Sequence, residues 1–347
     1  MNENQKPAPS YPVGPVPLLL HKVSLPPFWS VMIPTYNRAT FLERTLASVL
    51  SQDPGTGEMQ IQVVDDASTV DDPEPVVRRV GGDRVSFIRQ PRRLGLVGNW
   101  NSCIARAVGE WIHILHSDDV VFPGFYACLK ASLAAQSEIG AAFCRWVLID
   151  EDDHVFETSE LERTTPGILT NFIETIGASQ RIQCASIVVR RSAYERIGGF
   201  LPELGNAADW EMWKRIAANF PIWYEPKILA AWRCHQNMAS EAWWTSGENV
   251  ADIRRCIEVS RSLLPPGRGR TISRRAKDWI AVAAFRAVRD AIGQHEFTMA
   301  RNQFREGLKS GVSLAWGWAL FLLPARLAYD GMRRAYRRLR KSPKALS

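Results

Sequence analysis

The strongest constraint on the fold is an alternation of short apolar strands and amphipathic helices between residues 28 and 150. Five apolar runs predict the strands, at 30–33, 61–64, 85–88, 111–115 and 141–148. The first helix follows the first strand, and Thr40 and Glu43 predict a capping box at its start. Strands that alternate with helices in this way predict an α/β fold, with a mostly parallel central sheet flanked by helices on both faces.

Three of the predicted strands end in polar or acidic side chains, at 34–37, 65–66 and 116–119. Ligands bind beyond the carboxyl ends of the strands in such sheets, so these side chains are expected to converge on one site. The pairs Asp65-Asp66 and Asp118-Asp119 suit a divalent cation that holds a diphosphate, because hard cations prefer carboxylate oxygens. The alternative is that each pair caps a helix or is solvated in a loop.

The C-terminal tail accounts for the net charge of +7, because residues 331–347 contain seven basic residues and no acidic one. An apolar run of 13 residues, 311–323, precedes this tail. As a helix it is too short to cross about 30 Å of hydrocarbon. The two features together predict peripheral contact with an anionic membrane surface. A terminal helix docked on the protein is the main alternative, and nucleic acid is not expected as a partner.

The cysteines and the N-terminus favour a cytoplasmic protein. Six cysteines form no C-x-x-C pair and match no zinc site or disulfide framework, which is typical of reduced, buried thiols. Residues 1–27 contain seven prolines and predict a Pro-rich strap. They contain no apolar run long enough for a signal peptide.

The order of short motifs along the chain resembles that of the family 2 glycosyltransferases, inverting enzymes of the GT-A fold found in bacterial surface-polysaccharide assembly. The resemblance covers roughly residues 28–240. It depends on these segments: SVMIPTYN (30–37), VVDDAS (63–68), GLVGNWN (95–101), HSDD (116–119), IGGF (197–200), DWEMW (209–213) and WRCH (232–235).

This resemblance implies the transfer of a sugar from a nucleotide diphosphate sugar, with a UDP-sugar favoured, to a hydroxyl of a saccharide or lipid-linked saccharide. It implies Mg²⁺ or Mn²⁺ as cofactor, with Asp119 and His235 at the metal positions. Asp209 falls on the catalytic base, for which a helix N-cap is the alternative. Donor-binding positions fall on Pro34, Thr35, Tyr36, Asn37, Asp66, Arg93, Asn101 and Asp118. Tyr36 is expected to stack on the nucleobase, and Asp66 to accept a hydrogen bond from the base edge.

The implied organisation has three parts. The Pro-rich strap 1–27 precedes a GT-A domain at 28–245, in which 28–120 is the nucleotide-sugar half and 121–245 the acceptor half. A helical C-terminal region, 246–347, follows with its apolar segment and basic tail. These features together predict a protein at the cytoplasmic face of the inner membrane.

Two other functions remain open. One is a non-catalytic nucleotide-sugar-binding module of the same fold. The other is a nucleotidyltransferase, although its expected Gly-rich basic loop after the first strand is absent from 34–37. A dehydrogenase is disfavoured because no G-x-G-x-x-G follows that strand.

The aromatic and histidine side chains near these motifs allow more than one interpretation. Four tryptophans either stack on acceptor sugar rings or pack in the core, namely Trp210, Trp213, Trp243 and Trp244. His113 and His116 are interpreted as packing residues rather than metal ligands.

Overall fold

The computed structural model describes residues 25–235 and 241–311. Within these ranges the strands are β1 (Trp29–Thr35), β2 (Met59–Asp65), β3 (Ser86–Arg89), β4 (Trp111–Ile114), β5 (Val120–Val121), β6 (Ala141–Ile149), β7 (Val155–Thr158), β8 (Gly167–Ile168), β9 (Ile187–Arg190) and β10 (Ile222–Arg233). The helices are α1 (Ala39–Leu50), α2 (Glu74–Gly81), α3 (Leu96–Arg106), α4 (Phe125–Leu133), α5 (Phe172–Ala178), α6 (Arg191–Ile197), α7 (Ala208–Asn219), α8 (Glu241–Ser246), α9 (Glu248–Val259), α10 (Gly269–Gly293) and α11 (Phe297–Lys309). The predictions for residues 1–24, for 312–323 and for the tail 331–347 lie outside the described residues.

The strands form one sheet with the order β3-β2-β1-β4-β9-β6-β10-β5, to which β7 and β8 add at β6 and β10. Six strands run in one direction. Strands β1, β2, β3 and β4 are parallel to their neighbours in this set. Strand β6 shares their direction because β9, between β4 and β6, is antiparallel to both, and β10 is parallel to β6. The predicted α/β fold is confirmed, and the sheet is mixed, with four short antiparallel strands. The carboxyl ends of the six co-directional strands lie at one edge of the sheet.

Strand β1 lies in the middle of the parallel half and contributes to two cores. Val31 and Ile33 pack with α1, α2 and α4 on one face, whereas Met32 belongs to the core on the other face. That second core also contains residues of α3, α5, α7, α9 and α10. Successive strand residues point to opposite faces, so a buried strand of this kind is apolar throughout. Helices α9 and α10 pack on the same core as the sheet, and α11 packs on α10, which confirms the helical C-terminal region as far as Lys309.

Two local expectations for the region around β1 are wrong. Pro34 does not end the strand, because β1 continues to Thr35 in register with β2. Its missing N–H costs no ladder bond, since pairing of β1 with β4 stops at Met32. The capping box at Thr40 is also absent, because α1 begins at Ala39 without a cap from its own N-cap side chain. The Ala39 N–H instead donates to Oδ2 of Asp71 at 2.8 Å.

None of the helices in the described ranges has both the length and the apolar character needed to cross a membrane.

Candidate functional site

The acidic residues that follow β4 lie at the carboxyl edge of the sheet. The Asp119 side chain is buried, and its Oδ1 accepts the Arg233 backbone N–H at 3.0 Å. Asp118 Oδ2 lies 3.1 Å from His235 Nε2. The hydroxyl of Thr45 in α1 donates to the Asp119 carbonyl oxygen at 2.8 Å. The loop is therefore held by α1, by the end of β10 and by His235, just after that strand.

The pKa values of the two adjacent aspartates are shifted in opposite directions. Burial raises the pKa of Asp119 well above its ordinary value, and the charge of Asp118 raises it further, while Arg233 opposes the rise. Burial also acts to raise the pKa of Asp118. The hydrogen bond from His235 and the charges of His116 and His235 nevertheless hold that pKa below its ordinary value. Because like charges this close disfavour each other, the site favours one further positive charge, a proton or a cation.

Three side chains at this site offer ligand atoms for a metal ion. The atoms of His116, Asp118 and Asp119 all lie within 4.8 Å of one another, and His116 Nδ1 is 3.6 Å from Asp119 Oδ2. Nε2 of His116 is buried and has no hydrogen-bond partner in the described part of the chain. Carboxylate oxygens suit Mg²⁺ or Mn²⁺, so the two aspartates of this donor set fit the predicted cofactor. The His116 ring stacks on Trp100, with 5.1 Å between the ring centroids, as the packing interpretation expects, and its side chain also belongs to this cluster. His235 contacts Asp118 from outside the cluster.

The predicted base-binding residues lie together near the ends of β1 and β2. Arg93 Cζ is 4.2 Å from the centroid of the Tyr36 ring, a cation–π contact that covers one face of the ring. Asp66 is buried, and its two oxygens accept the N–H groups of Leu94 at 2.6 Å and Gly95 at 2.9 Å. Burial raises the pKa of Asp66, although these hydrogen bonds and the Arg93 charge act against it. Asp66 therefore anchors the loop that bears Arg93, and its contact with a base edge stays a prediction.

Three further donor-binding candidates have different surroundings. Thr35 Oγ1 is buried and lacks a hydrogen-bond partner within the described ranges. Asn37 has a left-handed backbone, with φ of 51°, and its Oδ1 accepts two backbone N–H groups from the loop after β2. The Asn101 side chain makes two hydrogen bonds with the backbone of Phe200. Asn37 and Asn101 thus hold loops together at the site, and their contacts with a donor stay predictions.

Asp209 lies in the first turn of α7 and is partly buried. The N-cap of α7 is Ala207, so the N-cap interpretation of Asp209 is wrong. Asp209 Oδ1 accepts the Trp210 N–H at 2.6 Å, and Oδ2 accepts an N–H of the Gln180 side chain at 3.0 Å. Burial raises the pKa of Asp209 to about 7, while these hydrogen bonds and the charge of Lys214 oppose the rise. A carboxyl group with this pKa exchanges protons readily near neutral pH.

Gln180 is a site residue that the sequence analysis missed. Its Oε1 accepts the Arg181 backbone N–H at 3.2 Å, which leaves the amide nitrogen for Asp209. Arg181 forms ion pairs with Glu160 and Glu162, at 2.6 Å in each case. The segment around Gln180 contains no motif, and only the tertiary structure brings it to Asp209.

A buried thiol lies within the electrostatic reach of both acidic centres. Cys184 begins a short 3₁₀ turn, Cys184–Ser186, that leads into β9. Burial raises the pKa of Cys184 well above its ordinary value, and the charges of Asp209 and Asp119 raise it further. The same turn packs against β4 and β5, on either side of the acidic cluster, and Gln180 just before it contacts Asp209, so the candidate base and the cluster lie around one region of the molecule.

Two of the tryptophans considered for acceptor stacking belong to the core. Trp210 and Trp213 are buried, and the Trp210 indole donates to the Ile176 carbonyl oxygen at 2.7 Å. Trp243 and Trp244, in α8, are partly exposed and remain candidates.

Arg233 connects the acidic loop to the turn between β6 and β7. Its side chain is fully buried and donates to the carbonyl oxygens of Asp118 and Asp150, at 2.9 Å in each case. It also forms an ion pair with Asp153 at 2.6 Å. Arg44 of α1 pairs with the same Asp153 carboxylate at 3.1 Å, but this arginine is about half exposed.

Comparison with known sequences identifies a conserved domain and named relatives. Residues 30–198 match the family described as glycosyl transferase family 2. An uncharacterized protein of Mycobacterium tuberculosis is 28% identical over 245 residues, which cover 67% of this chain and 75% of the relative. A GalNAc(5)-diNAcBac-PP-undecaprenol beta-1,3-glucosyltransferase of Campylobacter jejuni is 35% identical over 106 residues. Those residues cover 30% of this chain and 33% of that enzyme, so the likeness spans a third of the named relative.

Solved structures share the fold at low sequence identity. S. aureus TarS 1–349 in complex with UDP-GlcNAc superposes with a TM-score of 0.55 at 16% identity, covering 81% of this chain and 90% of that one. The mannosyltransferase PcManGT of Pyrobaculum calidifontis, in complex with GDP-Man and Mn²⁺, gives a TM-score of 0.55 at 18% identity. The superposition covers 92% of this chain and 86% of the mannosyltransferase chain. These similarities support the predicted fold.

The position of Arg233 predicts a large effect on stability. Replacing Arg233 with Met leaves the carbonyl oxygens of Asp118 and Asp150 without their donor and removes one of the two arginine partners of Asp153, so the free energy of unfolding should fall by about 3 kcal/mol. Arg44→Met is the matched control, because it removes an exposed partner of the same carboxylate and should cost less than about 1 kcal/mol. Urea unfolding of both variants measures the difference, and equal losses would contradict the structural role of Arg233.

Proposed function

This chain belongs to glycosyltransferase family 2, and on that premise we propose that it transfers a sugar from a nucleotide diphosphate sugar with inversion of the anomeric carbon. A UDP-sugar is the proposed donor, and the acceptor is a hydroxyl of a saccharide or lipid-linked saccharide. The observation that supports this best is the position of the turn Cys184–Ser186. It packs against β4 and β5, the strands on either side of the Asp118-Asp119 pair, and it closely follows Gln180, which hydrogen-bonds to Asp209. A single displacement needs a base on one side of the sugar and charge stabilisation on the other.

The donor site is proposed at the carboxyl ends of β1, β2 and β4. Tyr36 offers the ring face not covered by Arg93 to a nucleobase. The Arg93 guanidinium carries a positive charge beside this ring, where it favours the negative diphosphate. His116, Asp118 and Asp119 would hold Mg²⁺ or Mn²⁺. The bound ion would offset the negative charge that develops on the departing phosphate oxygen.

The proton transfer is proposed at Asp209. The acceptor hydroxyl gives its proton to the Asp209 carboxylate while its oxygen forms the new bond to the anomeric carbon. The bond between that carbon and the phosphate oxygen breaks, and the nucleoside diphosphate leaves with the electron pair. Gln180 and the Trp210 N–H hold the two carboxylate oxygens in place, which fixes the direction of the proton transfer.

The acceptor is proposed from the name of one relative, and the location of the protein is proposed from the sequence at 311–347. The similar Campylobacter enzyme has a PP-undecaprenol-linked acceptor in its name. The apolar and basic sequence at 311–347 suits contact with the cytoplasmic face of the inner membrane. We therefore include a peripheral position at that membrane in the proposal.

Asp209→Asn tests the base directly. The amide cannot accept the proton, so transfer should fall by a factor of about 10² to 10⁴. Donor binding should be unchanged, because Asp209 does not belong to the proposed donor site. Donor binding measured by calorimetry, beside turnover with a range of nucleotide sugars and acceptors, separates the two effects.

Asp119→Ala provides the contrast for this experiment, because it should lower both donor binding in the presence of Mn²⁺ and transfer. Normal turnover of Asp209→Asn would refute the assignment of the base. Normal, metal-dependent donor binding by Asp119→Ala would refute the assignment of the metal site.

The rate should also depend on pH through Asp209. Since burial raises its pKa to about 7, the ionised base is lost as the pH falls below that value, and activity should fall with it. Gln180→Leu removes a hydrogen bond that favours the ionised form, so the acidic limb of the profile should move to higher pH. Gln183→Leu, in the same loop, is the control and should leave the limb in place. An unchanged limb in Gln180→Leu would mean that another group sets it.

A further inference from the structure

A second concentration of positive charge lies in the described helical region, apart from the tail. Residues 254–277 contain eight basic residues and one acidic residue, Glu258. Without this block and the tail, the chain has 28 basic and 35 acidic residues, so the rest of the molecule is negative. The block folds into the second half of α9, the turn at Pro265-Pro266-Gly267 and the first turns of α10. Helix packing therefore concentrates this charge at one place.

Four of these basic residues line a groove between α9 and α10, here called the basic groove: Arg261, Arg270, Arg274 and Lys277. The groove contains a hollow of about 280 Å³, and Glu258 is its one acidic lining residue. A second hollow of about 400 Å³ adjoins it at the turn before α10 and shares Arg261 and Arg270. The combined space exceeds the size of a single phosphate group.

The cations of the basic groove lack protein counterions. Three other arginines of the block pair with acidic residues: Arg254 with Glu306, Arg255 with Asp252 and Arg268 with Glu174. Within residues 25–235 and 241–311, the four groove cations form no ion pair. Like charges crowded without a counterion favour binding of an anion.

Other groups at the basic groove also favour an anion. The 25-residue helix α10 begins at Gly269 beside the second hollow, and the first N–H groups of a helix have no partner within it. Ser273 lines the first hollow, and its buried hydroxyl has no hydrogen-bond partner in the described part of the chain. These donors suit phosphate oxygens.

We propose that the basic groove is a binding surface, separate from the sugar-transfer site, for the phosphate groups of anionic phospholipids. Each basic side chain near an anionic bilayer contributes to binding, and a groove larger than one phosphate group and lined by four cations suits lipid headgroups. The position of α11, the last described helix, supports the same occupant. Arg254, on α9 before the groove, pairs with Glu306 near the end of α11. The described chain stops at Gly311, and the sequence continues into the apolar run and the basic tail.

The test uses the full-length protein and sedimentation with vesicles of phosphatidylglycerol and phosphatidylcholine. Arg270→Gln should weaken binding about fivefold, and the triple substitution of Arg261, Arg270 and Arg274 with Gln roughly tenfold or more. Arg286→Gln is the matched control, because Arg286 is an exposed residue of the same helix outside the groove, and it should change binding less than about twofold. Binding of UDP should be equal in all variants, which shows that the fold and the donor site are intact. If the triple variant does not fold, the comparison of Arg270→Gln with Arg286→Gln decides.

Several results would overturn the proposal. One is equal vesicle binding by the wild type and the groove variants, and another is equal binding to purely zwitterionic vesicles. Binding of inorganic phosphate that depends on the groove arginines, without vesicle binding, would assign the groove to a soluble anion. Preferential binding of RNA at the same arginines would assign it to nucleic acid. Sugar transfer is measured separately, so failure here leaves the proposed transfer reaction intact.

Discussion

The arrangement of the site depends on the repulsion between two neighbouring carboxylates at the end of β4. Asp119 is buried beside Asp118, and its pKa is raised by burial and by that neighbour. The fold surrounds the pair with compensating groups, since the Arg233 backbone N–H contacts Asp119 and His235 contacts Asp118. A pair of carboxylates that is only partly compensated in this way favours a cation. In the proposed function, the same repulsion prepares the loop for a metal-bound diphosphate.

The sheet determines which side chains meet this pair. Because β1, β2 and β4 are parallel neighbours, their carboxyl ends bring Thr35, Asp66 and Asp118 to one edge. The antiparallel β9 then lies between β4 and β6, and the turn before it places Cys184 within reach of both Asp119 and Asp209. The two candidate centres, at Asp119 and Asp209, come from distant parts of the chain, yet one continuous sheet fixes their relative position.

The alternation of strands and helices was sufficient to predict the fold, and the polar end of β4 was sufficient to predict the acidic cluster. The pair Asp65-Asp66 lies outside that cluster, because Asp65 pairs with Arg89 and Asp66 accepts backbone N–H groups. Contacts between distant segments could not be predicted. The Asp71 cap on α1, the Gln180 contact with Asp209 and the participation of His116 all depend on tertiary packing rather than on local pattern. The continuation of β1 through Pro34 depends on where β4 ends. The net charge of the chain outside the tail is zero, because acidic residues elsewhere offset the basic block at 254–277. The net charge therefore gives no sign of this block.

The central claim is that a cation at Asp119 and a base at Asp209 flank one sugar. The most direct measurement is the anomalous diffraction of Mn²⁺ in crystals grown with an unreactive nucleotide diphosphate sugar analogue. The account predicts one strong anomalous peak bonded to Asp119 and to the diphosphate, with the Asp209 carboxylate on the opposite side of the anomeric carbon. A peak at the exposed group formed by Asp150, Asp152 and His154 would contradict it. An analogue bound with its anomeric carbon away from Asp209 would contradict it equally.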